Sequence, residues 1–268
     1  MKKITSLLII LILIFMMTSS SYASGLRRLT GKINENNQKV ITLMYHMVSE
    51  VPEYINTYCI TPKALEEDIL YLKENNYIFA FVNEIDVVCA ANPNKNIAVL
   101  TFDDGYESDY NYVLPLLKKY NAKATFFVFS SMLNKPFYMT DNQLKELAAS
   151  PYTEIGNHSY ELHNKTPEEI CKLYASYEKT EDIIKDFEKN KKILESITGK
   201  NITSLSYPNG IHTYYADNLL KKRKICNISI TTNELKYSAP NYLNKPIGRY
   251  NRSDLRSVED IVKKIMQN

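Results

Sequence analysis

Only seven glycines, four cysteines, four histidines and no tryptophan occur among 268 residues. The cysteines (Cys59, Cys89, Cys171 and Cys226) are too few and too scattered for a disulfide scaffold in a chain this long, and their spacing is not that of metal ligands. No polybasic block is present and the net charge is only +3, which argues against nucleic acid as a partner. Internal repeats and low-complexity segments are also absent. Where glycine is scarce, the glycines that remain are informative. Gly105, Gly156, Gly210 and Gly248 each sit beside an expected strand end, where unusual dihedrals or a close backbone approach would require them.

Lys2 and Lys3 precede the apolar run Leu7–Met17, followed by small residues at Ser21 and Ala23. This is the layout of an export signal over residues 1–23 with cleavage after Ala23. The run falls short of the roughly 20 residues that span a bilayer comfortably, so membrane attachment is expected only if the segment stays uncleaved. Residues 24–38 are polar and basic and read as a linker, leaving 39–268 as one domain. A secreted or cell-surface monomer is the expectation.

Short apolar runs alternate with amphipathic stretches along that domain. Strands are predicted at Val40–Tyr45, Ile97–Phe102, Ala124–Phe129, Glu154–Asn157, Ser204–Tyr207, Asn227–Thr231 and Pro246–Tyr250, with the β-branched and aromatic content of buried parallel strands. Helices are predicted after the Thr61-Pro62 cap, over Ser108–Tyr120 and Asp141–Ala149, from Thr166 to about Ser196, and over Tyr214–Arg223 and Ser253–Met266. The alternation implies an α/β fold, an incomplete, distorted (β/α) barrel with about seven parallel strands. Barrel active sites lie at the carboxyl ends of the strands, where the reactive side chains of this sequence fall.

Asp103 and Asp104 end the run Leu100-Thr101-Phe102 and precede Gly105-Tyr106. On an extended strand they point to opposite sides, which favours one carboxylate on a metal and the other free as a base. Read structurally, the pair is a helix cap with a first-turn carboxylate. His158 and His163, half of all the histidines, are five apart. On a helix that spacing separates them by about 140°, so a shared ion requires a loop to bring them together. Asp104, His158 and His163 would then supply three ligands and leave positions open for water. His46 follows Tyr45 and by itself reads as a capping or core histidine. Tyr207-Pro208-Asn209-Gly210 reads as a tight turn leaving a strand, whose backbone N–H groups could stabilise an oxyanion.

Thr101–Tyr106, His158–His163 and Ser206–Gly210, in this order and at these separations, resemble the polysaccharide deacetylases of the NodB-type carbohydrate esterase family, over residues 39–268. The resemblance implies an incomplete (β/α) barrel that removes acetyl groups from N-acetylglucosamine polymers with one divalent metal. It implies Asp103 as general base, Asp104, His158 and His163 as metal ligands, and the backbone at Asn209 as part of the oxyanion hole. Tyr207, and Arg249 on the last strand, are expected on the substrate side. The sequence also departs from the family. Many members space these histidines four apart, carry an arginine where Ser206 stands, use a tryptophan-containing motif and place a catalytic histidine near the C-terminus. None of these is present. One exported branch, acting on β-1,6-linked poly-N-acetylglucosamine, has histidines five apart and an early Tyr-His motif. Tyr45-His46 resembles that motif, which implies His46 as general acid.

Zinc is the expected ion, with cobalt, nickel or iron also suited to the ligand set. The glycan is peptidoglycan, poly-N-acetylglucosamine or a chitin-like chain. Three rival readings are a glycan-binding relative that has lost catalysis, an iron oxygenase with two histidines and one carboxylate, and a metal-free structural barrel.

Overall fold

The structure, a computed structural model, describes residues 38–234 and 245–267. The expected export signal and residues 24–37 lie outside them. Gln38 is buried and already part of the fold, its amide donating to the carbonyls of Asn92 (2.7 Å) and Lys95 (2.8 Å).

The main sheet is a distorted (β/α) barrel. Its path runs β10 (Tyr250–Asn251), β1 (Val40–Tyr45), β5 (Ile97–Asp104), β6 (Ala124–Val128), β7 (Thr153–Asn157), β8 (Ser204–Ser206) and β9 (Ile228–Ile230), with every pairing parallel. A short β4 (Ile78–Phe79) pairs with the start of β5 before β6 joins at Leu100. The last predicted strand divides its pairing between the two edges. Ile247 bridges to Ile230 of β9, and Tyr250 and Asn251 pair with Leu43 and Met44 of β1.

Side-chain alternation along β5 sorts the core. Ile97 and Val99 join Val40, Phe127, Ile228 and Ile230, which come from different sides of the ring and therefore meet in its interior. Ala98, Leu100 and Phe102 face outward and pack beneath α1 (Pro62–Glu74), α3 (Leu114–Tyr120), α4 (Asp141–Ala149) and α8 (Val258–Met266). A separate cluster seats α6 (Tyr177–Thr198) and α7 (Tyr214–Lys222) on β8.

Several helices differ from the sequence expectation. The helix expected from Thr166 to Ser196 is two, α5 (Pro167–Leu173) and α6, because Ser176 adopts extended dihedrals and its hydroxyl caps Lys179 N. Residues Asp109–Val113 form a wide π-type turn before α3. Pro115 explains it, since its ring would clash with the carbonyl four residues back in a regular helix. The final helix begins only at Val258, where Ser257 and Asp260 form a capping box. Helix α2 (Ile85–Ala91) and strands β2 (Met47–Val48), β3 (Cys59–Ile60) and β4 carried no sequence signal strong enough to predict them. Cys59, Cys89 and Cys226 are buried free thiols and Cys171 is exposed.

Candidate active site

Asp103 shares the inward parity of Ile97, Val99 and Thr101. Asp104 should face outward, but its φ is +82° and that of Gly105 is +76°. These left-handed dihedrals end the strand alternation and swing the second carboxylate toward the first. Gly105 is required there, because a Cβ would lie 2.9 Å from Val128 Cγ1. As a result both carboxylates approach one imidazole. His158 Nε2 lies 3.8 Å from Asp103 Oδ2 and 3.6 Å from Asp104 Oδ1.

His158 leaves the end of β7, where a buried amide pair anchors it. Asn190 of α6 donates to Asn157 Oδ1 and to the Val128 carbonyl, both at 2.8 Å, and Asn157 donates to the Phe187 carbonyl. The loop that follows is bent back by Asp186, whose carboxylate accepts from the Tyr160 and Glu161 amides at 2.7 and 2.9 Å. This turn carries His163 to 3.2 Å from Asp104 Oδ1, its ring stacked on Phe129. The two imidazole centroids are 5.0 Å apart.

Arg249 is wholly buried and grips Asp103 through two hydrogen bonds, Nη1 to Oδ1 at 2.7 Å and Nη2 to Oδ2 at 2.6 Å. Its remaining donors reach Thr101 Oγ1 and Ser206 Oγ (3.0 Å each) and the Thr231 carbonyl (3.3 Å). For Arg249 the geometry differs from the substrate-side expectation, since it stands behind the carboxylate and makes no part of the cleft wall. The small Ser206 leaves the room that Arg249 fills. Burial raises the Asp103 pKa, yet Arg249, with His158, outweighs it and holds the carboxyl well below the usual range.

Met44, His46, Tyr58, Tyr106, Asn209 and Asn251 surround these groups in a cleft of about 520 Å³. No sequence pattern singled out Tyr58 or Asn251, and Tyr106 entered only as the end of the Thr101–Tyr106 motif. His46 Nδ1 is buried without a hydrogen-bond partner, and its ring meets Tyr58 edge-on at 4.8 Å. Burial lowers its pKa against the pull of Asp103 and Asp104. The Asn209 turn (Pro208–Gly210) reaches the cleft with φ +54° at Asn209 and +71° at Gly210, where a Cβ would sit 2.1 Å from Thr232 Oγ1. Tyr207 also departs from its substrate-side expectation. Its side chain is buried beneath the turn, stacked on His212 and donating to Asp217 at 2.8 Å, so it braces the turn from within.

The donor set fits a divalent metal. One atom each from Asp104, His158 and His163 lies within 4.8 Å of the others. Asp104 Oδ1 is buried and accepts no hydrogen bond. His158 Nδ1 is 2.9 Å from the Ser206 carbonyl, an acceptor only, so Nδ1 holds the ring proton and Nε2 presents its lone pair. Burial lowers the His158 pKa to about 4, which keeps that ring neutral at ordinary pH.

Comparison with known proteins identifies the family. A Bacillus subtilis protein named for the polysaccharide deacetylases, YxkH, is 28% identical over 181 residues, 66% of this chain but only 58% of its own length. The poly-β-1,6-N-acetyl-D-glucosamine N-deacetylase of Staphylococcus aureus is 25% identical over 199 residues, covering 67% of this chain and 68% of that protein. The solved structure of IcaB from Ammonifex degensii superposes with a TM-score of 0.67 at 22% identity, covering 87% of this chain and 99% of that one. The polysaccharide deacetylase profile matches residues 90–228. That span is just over half of the sequence and takes in both aspartates, both paired histidines and the Asn209 turn, so the chain belongs to the polysaccharide deacetylase family.

Proposed function

We propose that the chain is a metal-dependent N-deacetylase acting on the N-acetylglucosamine units of an extracellular or cell-wall polysaccharide. The observation that carries this reading is the convergence of Asp104, His158 and His163 beside an Asp103 that is paired with Arg249 and is not one of the three. A divalent cation held there supplies the Lewis acidity that acidifies water and polarises the acetamide carbonyl. Asp103, oriented by the Arg249 fork, accepts the proton of the attacking water. The backbone N–H of the Asn209 turn stabilises the oxyanion. An amide nitrogen leaves poorly unless protonated, and His46, across the cleft, donates that proton.

Ser206, where many members of the family carry an arginine, favours a catalytically impaired relative. The bidentate contact from Arg249 supplies the same cation to the base and weakens that rival. The layout of residues 1–23 and the S. aureus relative support an exported deacetylase with poly-N-acetylglucosamine as first substrate to try.

The test is acetate release from peptidoglycan fragments, β-1,6-linked oligomers and chitin oligomers with zinc, cobalt, nickel or iron supplied. Chelation should abolish release and metal should restore it. Release that survives complete chelation removes the metal from the reaction, and none from any glycan with any metal leaves the impaired relative standing.

A further inference from the structure

Three aromatic side chains on the rim of the cleft are more exposed than large apolar rings usually are: Tyr54 (40%), Tyr58 (56%) and Phe137 (60%). Two of them, Tyr54 and Phe137, touch, and Tyr58 shares a loop with Tyr54. Tyr58 lines the cleft and lies edge-on to His46. Tyr54 belongs to the same loop, folded by the Asn56–Cys59 bridge, and its ring meets Phe137 edge-on at 6.2 Å. Phe137 comes from a separate loop, one residue before Tyr138, whose ring stacks on the cleft-lining Tyr106 at 5.1 Å.

Phe137 is also held in an unfavourable backbone state. Its φ is +73°, the left-handed region that bulky residues rarely adopt. The conformation is pinned by Glu107 N donating to the Phe137 carbonyl at 2.8 Å and by the Tyr106–Tyr138 bridge. The ring so presented is spent outside the core, and strain of this kind concentrates at binding sites.

Resting on the deacetylase reading above, we infer that Tyr54, Tyr58 and Phe137 form a stacking subsite for a pyranose ring of the polymer next to the unit whose acetamide lies in the cleft. The electron-rich faces of aromatic rings complement the partly positive C–H faces of a sugar, and this set of rings starts at the candidate acid and leads away from the cleft. A lipid surface is a poorer occupant. Within four residues of these rings in sequence the exposed charges are Glu50, Glu53, Lys135 and Asp141, with no basic surplus for an anionic bilayer.

The test compares wild type with the double variant Tyr54→Ala/Phe137→Gly, since glycine accepts the left-handed backbone at position 137. Acetate release by the metal-supplied wild type, from any oligomer, tests the deacetylase reading by itself. The inference is tested by the ratio of kcat/KM for an N-acetylglucosamine pentamer over a dimer, which should fall about tenfold in the variant. Independently of turnover, calorimetric titration of the pentamer into Asp103→Asn protein should show Kd weakened about tenfold, or about 1.4 kcal/mol, when the two rim changes are added. An unchanged ratio and an unchanged Kd overturn the subsite. So does a variant that loses only its sedimentation with phosphatidylglycerol vesicles, which would make these rings a membrane contact.

Discussion

At the residue scale, the candidate centre depends on how a few side chains are held. His46 sits in the cleft wall with Nδ1 unpartnered and is not one of the three converging donors. Replacing it by alanine should cut turnover by roughly a hundredfold or more while metal binding, read by calorimetric titration, stays near wild type. Persistence of turnover would remove it as the acid. Arg249→Lys keeps a positive charge but loses the fork and its hydrogen bonds to Thr101 and Ser206, at a cost of roughly 2 kcal/mol in a denaturant melt. The weaker partner lets the Asp103 pKa rise. Because activity declines as pH falls through the pKa of the base, the acid limb of the kcat/KM profile should move to higher pH. A limb that stays in place would show that Arg249 does not set it.

At the scale of elements, the two histidines are delivered by different devices, one fixed by a buried amide ladder and the other by a folded-back loop. Asp186→Ala frees the amides of Tyr160 and Glu161 and loosens His163, so zinc affinity measured against a chromophoric chelator should weaken about tenfold or more. The strands on the sheet path were legible because each is a short apolar run with β-branched or aromatic residues, and their ends marked where chemistry would fall. Caps made helix starts readable at Thr61 and Thr166. The break at Ser176 was not readable, since a serine within a charged helical stretch is as often a surface residue as a cap. Two-residue strands such as β2 and β4 carry no periodicity at all. Likewise nothing local to Arg249 points to Asp103, and Tyr58 and Phe137 become cleft neighbours only through loop geometry. The swing of Asp104 was invisible too, because alternation alone put it on the far side from Asp103.

At the scale of the whole molecule, the barrel interior carries an unusual burden in Glu154 of β7. It accepts from Thr125 Oγ1 at 2.7 Å, but burial dominates and pushes its pKa up to about 7 from the usual 4.5. Between those values the folded chain keeps a proton that the unfolded chain has released, so stability declines as pH rises through that window. Glu154→Gln removes this contribution. The stability of the variant relative to wild type should therefore rise by roughly 2.5 kcal/mol between pH 5 and pH 8, read from urea melts at each pH. A difference that does not change with pH would place Glu154 at an ordinary pKa.

The closing segment between β9 and β1 has a further consequence. Arg249 stands 146 residues after the carboxylate it grips, on the stretch that joins the two edges of the sheet. A chain that folds from its amino end therefore has no Arg249 guanidinium facing Asp103 until the segment after β9 has joined it. The candidate base is thus oriented only once the strand that joins the two edges of the sheet is in place.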